Sequence, residues 1–188
     1  YKLDVQPSLV PEFIRQEIDF KDRSDTVQNS QKNLIDSSLD VSNGISFISM
    51  PFDKSFEING SFIGELKASI NKKDMDVTIA MYELLPDGKY FTLGSYLARV
   101  SYAKNRSKRQ LLQPGKIETI PINNTSFISK KINAGSRLVA VLGINKNANW
   151  QINYGTGKDV SDETIDDAKI PLQIKWYNNS VIKIPVQK

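Results

Sequence analysis

The 188 residues contain no histidine and no cysteine. Without cysteine there are no disulfides, no thiolate zinc sites and no thiol nucleophile. The zero for histidine excludes more. A Ser-His-Asp triad cannot be assembled from this chain, histidine-ligated zinc or iron is ruled out, and the commonest acid/base group near neutral pH is missing. What is left is carboxylate, lysine or tyrosine chemistry, or none. The lone serines, Ser101 and Ser180 among them, have no base within the chain to activate them. Long apolar runs are absent too, so no segment reads as a membrane-spanning helix. Proline and glycine are modest, 8 and 10 residues, and fall mostly where turns are wanted.

What is present is ordinary for one folded domain: 39% hydrophobic and 24% charged residues, with a net charge of +4. The pI is near 9.1. That basicity and the lack of cysteine lean toward export, to the periplasm or outside the cell. The chain opens on Tyr1 with no visible signal peptide, which fits a removed leader or, as expected here, a cut from a longer protein. The densest basic run is "KNRSKR", residues 104–109. No aromatic residues interleave with it, as a nucleic-acid groove would require, so it reads as a solvated loop and no nucleic-acid partner is expected.

Two regions differ in texture. Residues 1–43 are polar, rich in Ser, Asp and Asn, and poorly periodic. They read as an irregular arm with one short helix over residues 12–20, Pro11 standing in its first turn. Residues 44–188 read as strands. "SFIGELKASI" alternates Phe62, Gly64, Leu66, Ala68 and Ile70 against Glu65, Lys67 and Ser69. "DVTIAMYELL" sets Val77, Ile79 and Met81 against Thr78 and Tyr82, then meets the turn of Pro86, Asp87 and Gly88. "KYFTLGSYLARVSY" returns as the hairpin partner, with a bulge at Gly94. A turn at Pro114 and Gly115 introduces the next strand. "SRLVAVLGI" is apolar almost throughout and belongs at the centre of a sheet. Two last strands, "IPLQIKWY" and "SVIKIPV", close around a turn at Asn178 and Asn179. At least seven evenly spaced strands and almost no helix after residue 45 imply an all-β, antiparallel β-sandwich or jelly roll.

Four places offer chemistry. "GTGKD" lacks the context of a phosphate-cradling loop, being followed by acids rather than opening a helix. Asp159, Asp162, Glu163, Asp166 and Asp167 could hold a calcium ion, or form a solvated loop with a short helical turn capped by Ser161. Asp74 and Asp76 could be a carboxylate pair for acid/base work, or cap a strand entry. Trp150, Tyr154, Trp176 and Tyr177 could form a sugar-stacking platform, although Trp176 sits in an alternating strand and reads as core. None of these is assigned as a catalytic, cofactor or metal residue.

The order of several pieces resembles a known family. They are the stretch from "NGISFISMPFDKSFEINGSFIGELKASINKKDMDVTIAMYELLPDGKYFTLG" through "LARVSY", "LLQPGKIETIPI" and "INAGSRLVAVLGI" to "NYGTGKDVSDET" and "NNSVIKIPV". Together they are similar to the C-terminal domain of X-prolyl dipeptidyl-peptidases and cocaine-esterase-like (CocE/NonD) serine hydrolases. The resemblance implies a galactose-binding-like jelly roll appended to an α/β-hydrolase domain that carries the nucleophile, acid and histidine. Residues 1–43 then resemble the linker from that missing domain, and no triad residue transfers to this chain. Two departures stand out: Gly135, Ser136 and Arg137 where the family often has Gly-His-Arg, and Trp176 with "NNS" where a histidine often precedes the closing strand. The expected role is a non-catalytic accessory domain that packs on the catalytic domain and helps shape its substrate cleft or oligomer. The expected partners are that hydrolase domain and, less directly implied, a second copy of the chain. A carbohydrate-binding module is the alternative, and a structural domain of other parentage is the third reading.

Overall fold

The computed structural model describes residues 1–4, 10, 12–24, 33–39, 41 and 44–187. Its strands are β1 (Phe13–Ile18), β2 (Ile35–Asp36), β3 (Ile45–Ile48), β4 (Phe56–Ser61), β5 (Ile63–Ile70), β6 (Asp76–Leu84), β7 (Tyr90–Arg99), β8 (Glu118–Ile122), β9 (Phe127–Ile132), β10 (Arg137–Ile144), β11 (Leu172–Tyr177), β12 (Val181–Lys183) and β13 (Val186–Gln187). Among the described residues, only three short 3₁₀ turns, at Val100–Tyr102, Val160–Asp162 and Ile165–Ala168, interrupt the strand pattern. Every pairing between these strands is antiparallel. The chain is an all-β sandwich.

One sheet runs β2-β7-β6-β10-β3. The facing sheet runs β1-β11-β5, with β8 on the far edge of β5 and β12 beside β11 on the near edge. A third group, β13-β4-β9, continues that facing sheet past a bend. The bend falls at Phe62, between β4 and β5, where the Thr125 hydroxyl donates to the Phe62 carbonyl and replaces a missing ladder bond.

The period-two reading of the sequence places the core. Val77, Ile79 and Met81 from one sheet meet Leu66, Ala68, Ile70, Ile174 and Trp176 from the other, all buried. A buried isoleucine of this kind contributes about 2–3 kcal/mol by leaving water. β10 lies between β6 and β3, and both its faces are covered, Leu138, Ala140, Leu142 and Ile144 by the main core and Val139 and Val141 by a second cluster, as its continuous apolar run requires. The outer face of that sheet forms a second, smaller cluster: Ala80, Tyr82, Val139 and Val141, with Leu39 and Tyr90 packed against it. Tyr82, expected on a polar face, is therefore buried. The hairpin turn at Pro86, Asp87 and Gly88 forms as read, with Asp87 accepting from the Lys89 amide. The bulge forms as well: Met81 faces Gly94 and Tyr82 faces Thr92, which leaves Leu93 between them.

One expectation fails. Residues 13–18 form β1, not part of a helix; Pro11 lies outside the described residues. Ile14 and Ile18 suit either period, being four apart, and nothing local decides. Pairing with β11 decides, aligning Phe13 with Tyr177 and Ile18 with Leu172. Trp176 Nε1 donates to Gln16 Oε1 at 2.7 Å across that pairing. A helix would lose both the ladder and this bond, so tertiary contact overrides a weak local preference.

Candidate functional site

The two longest connections after residue 44, residues 100–117 and 145–171, meet at the same end of the sandwich as the 71–75 turn. Irregular chain buried this way leaves main-chain groups without strand partners, and something else must satisfy them. Charged side chains do so here.

Asp74 is completely buried. It accepts from the Ser101 amide at 3.0 Å, the Ser101 hydroxyl at 2.6 Å and Arg109 Nη2 at 3.1 Å. Asp76 takes Arg99 in a two-pronged contact, Nε and Nη2 each at 3.0 Å, and Asn153 Nδ2 at 2.8 Å. That contact holds the Arg99 proton more tightly than usual, chiefly through the hydrogen bond to Asp76. Arg109 also reaches the 145–171 connection, donating to the carbonyls of Gly157 and Lys158 at 3.3 and 2.6 Å. Lys72, buried, donates to the Tyr154 and Ala168 carbonyls at 2.9 and 3.4 Å. Burial pushes its pKa down, with Glu163 pulling it back. Glu163 accepts from the Tyr154 and Thr156 amides at 2.7 and 2.9 Å and from the Thr156 hydroxyl. Gly155, at φ 79°, sits so close that a Cβ there would lie 2.7 Å from the Asp74 carbonyl.

This arrangement binds chain to chain. Asp74 and Asp76 each face a guanidinium, so neither stands ready as a general acid or base, and the strand-entry reading holds in stronger form. Ser101 donates to Asp74, and Ser180 donates to the Tyr177 carbonyl, so neither is an activated nucleophile. The acids of the loop also disperse. Glu163 turns inward, Asp159 caps the Val160–Asp162 turn, and Asp167 completes a capping box with Thr164 while pairing with Lys158 at 2.7 Å. Among the described residues no three acidic side chains gather as a metal site would need. The expected cap Ser161 is not the cap: Asp159 is, because the turn begins two residues earlier than a Ser161 cap would start it.

The four aromatics separate as well. Trp176 is core, Tyr154 packs edge-on against Phe20, Tyr177 lies beside Phe13, and Trp150 stands exposed. They share no platform. Of the basic run, Lys104 pairs with Glu118 and Arg109 turns inward, while Arg106 and Lys108 stay exposed. Arg99, Arg109, Lys72 and Asn153 were not legible as site residues. Each lies far along the chain from its carboxylate, and no spacing motif links them. Ser136, at the family departure, is fully buried with its hydroxyl unpartnered.

A family model described as the X-Pro dipeptidyl-peptidase C-terminal non-catalytic domain matches residues 15–178. The chain belongs to this family. Solved structures agree on the fold. An aminopeptidase from a marine sediment archaeon, Thaumarchaeota archaeon, superposes with a TM-score of 0.81 at 14% identity, covering 97% of this chain and 34% of that one. An α-amino acid ester hydrolase gives 0.76 at 15% identity, covering 99% and 34%. A CocE/NonD family hydrolase from Staphylococcus aureus gives 0.66 at 15% identity, covering 100% and 34%. This chain thus spans about a third of the length of the proteins it superposes on. No curated protein matches its sequence. As a family member it is non-catalytic, which agrees with carboxylates fully engaged by arginines.

Proposed function

We propose that this chain serves a serine hydrolase of the X-Pro dipeptidyl-peptidase or related acyl-hydrolase type, packing on its catalytic domain and helping to wall the substrate cleft. The observation that carries the reading is the family match over residues 15–178. The locked state of Asp74 and Asp76 supports it, because the chain's best carboxylate pair holds loops together. In this reading residues 44–188 are a jelly roll of the galactose-binding-like type. Residues 1–43 are the connection to the hydrolase domain, and they lend β1 and β2 to the sheets as they pass. The chain itself supplies no catalytic, cofactor or metal residue.

The purified chain should release no chromophore from Xaa-Pro chromogenic substrates above the buffer rate, and the parent protein should. Turnover by the purified chain alone, abolished by neither dilution nor further purification, would overturn the proposal.

A further inference from the structure

The edge of a sheet is a row of main-chain donors and acceptors without a ladder, and another strand pairs with it unless something prevents that. The edges of this sandwich differ in how they are closed. Lys2 bridges to Ile48 and the Leu3 amide donates to the Ile48 carbonyl, so the start of the chain covers β3. β2, β12 and β13 have only two or three residues each. β8 carries Pro121, which has no amide to donate. β9 closes toward β7, where the Ser126 hydroxyl donates to the Ser95 carbonyl at 3.0 Å. β1 has none of these devices. Its six residues include no proline, its register on β11 is unbroken, and no described strand other than β11 pairs with it.

The ladder shows which groups β1 leaves open. The Asn178 amide donates to the Glu12 carbonyl at 3.0 Å, so Glu12 faces β11, and alternation turns Ile14, Gln16 and Ile18 the same way. The amides and carbonyls of Phe13, Arg15 and Glu17 therefore point off the sheet. Side chains alternate between the faces. Ile14, Gln16 and Ile18 lie on the core side and bear no charge, while Phe13, Arg15 and Glu17 are exposed on the outer face. Arg15 rests over the Phe13 ring at 5.1 Å, and Glu17 accepts from Gln173 Nε2 at 3.2 Å. Among the described residues neither has an ion-pair partner.

These two charges select what fits the edge. A copy of β1 running antiparallel matches off-sheet residues with off-sheet residues. Setting Arg15 against the partner's Arg15, or Glu17 against the partner's Glu17, puts like charges opposite each other, which is destabilising. Further slips match neither charge with its opposite. Setting Arg15 against the partner's Glu17 makes the reverse pair at the same time, by a two-fold axis through Gln16. That register supplies both ion pairs and about four main-chain hydrogen bonds. We infer that β1 is a contact between two copies of this chain, paired antiparallel about Gln16, which joins their two facing sheets into one. The inference adds a contact to the accessory-domain reading and stands whether or not that reading does.

The test uses the intact parent protein and charge reversals on the exposed outer face, away from the core. Sedimentation over a range of concentrations should show a dimer. Arg15→Glu and Glu17→Arg should each weaken it about tenfold, because each sets like charges opposite each other twice. The double reversal restores the complement with its signs exchanged and should return the dimer to near the wild-type affinity. Gln16→Cys gives a readout independent of charge. Residues facing each other in a non-hydrogen-bonded pair have Cα atoms about 4.5 Å apart, within disulfide reach. Oxidation should then link the peptide containing residue 16 to its own copy. A parent protein that stays monomeric at every concentration overturns the inference. So does a dimer that ignores both single reversals, one that the double reversal fails to restore, or one whose residue-16 peptides stay unlinked or link to any other peptide.

Discussion

The two ends of the sandwich bury carboxylates for different reasons. At the hairpin end a single one, Glu83, is fully buried on the inner face of β6. Lys130 Nζ, from β9 of the opposite sheet, lies 2.9 Å from its Oε2 and 4.6 Å from the Phe91 ring centroid. One cation, one carboxylate and one ring fasten two sheets whose strands are already fully laddered. At the loop end Asp74, Asp76 and Glu163 act with Arg99, Arg109 and Lys72, and their partners are mainly the amides and carbonyls of irregular chain. Buried charge here substitutes for the ladder that strands would supply. Removing a charge should therefore loosen a sheet contact at one end and a whole loop system at the other.

The largest test of that difference is to remove each cation. Arg109→Met leaves buried Asp74 without its ion-pair partner and frees the carbonyls of Gly157 and Lys158. Breaking a buried pair from one side costs about 3–5 kcal/mol. Lys130→Met leaves the equally buried Glu83 with only the Asn133 amide at 3.3 Å and should cost a similar amount, about 3–5 kcal/mol, but in sheets that remain paired. Urea unfolding of both variants compares them. Amide exchange adds the decisive detail: Arg109→Met should lose protection throughout 151–168 before global unfolding, and Lys130→Met should open no such region. Equal midpoints with identical exchange patterns would break the comparison.

A middle-sized test uses glycines of nearly equal φ. Gly88, at φ 86°, turns the β6–β7 hairpin with nothing near its missing Cβ. Gly155, at φ 79°, would drive a Cβ against the Asp74 carbonyl at 2.7 Å and the Lys72 side chain at 2.9 Å. Gly88→Ala bears only the left-handed backbone penalty, about 1 kcal/mol. Gly155→Ala bears that and a displacement of the network, about 2–3 kcal/mol together. Thermal melts should rank them in that order, and a reversed rank would show that the network yields more easily than its burial implies.

How legible these ends were follows from their chemistry. The hairpin end could be read directly, because Pro86, Asp87, Gly88 and the alternation on either side act over a few residues. The core could be read too, since period two needs only neighbours. The loop end could not. Asp74 was visible as a carboxylate, yet its partner Arg109 stood in a run that reads as a solvated basic loop, and only the fold turns that one side chain inward. The two glycines of "GTGKD" were visible, but the reason for Gly155 is a contact with residues some eighty positions earlier. The strand at 13–18 escaped for the same reason: its period fits either element until β11 lies alongside. Local signals reveal turns and faces, while pairings between distant charges have no sequence period to betray them.

The smallest test is in acid. At the loop end Asp159 is held below the usual carboxylate pKa, first by its side-chain hydrogen bond with Ser161, and Asp167 first by its side-chain hydrogen bond with Lys158. At the hairpin end Asp87 is lowered chiefly by the Lys89 amide. A depressed folded pKa stabilises the fold above the unfolded value, 3.8, and that contribution is lost as pH falls through the folded value. Stability should thus be insensitive to these groups from neutral pH to just above that value and decline below it. Asp87 and Asp159 are well solvated and Asp167 is partly covered, so the first two decrements are small and shrink further in salt, and that of Asp167 is the larger of the three. Two of them brace the 3₁₀ turns of the loop end and one braces a single hairpin turn. Amides of Ser161 and Thr164, which donate to Asp159 and Asp167, should then lose exchange protection in acid ahead of the Leu85 amide in the hairpin. Lys158→Met should bring Asp167 back toward its ordinary pKa and flatten the acid decline at Thr164 without touching the hairpin. An unchanged acid profile at Thr164 in that variant would mean that the 3₁₀ turn is held by packing of Ala168 and Val160 alone, and that the loop end relies on its buried charges only.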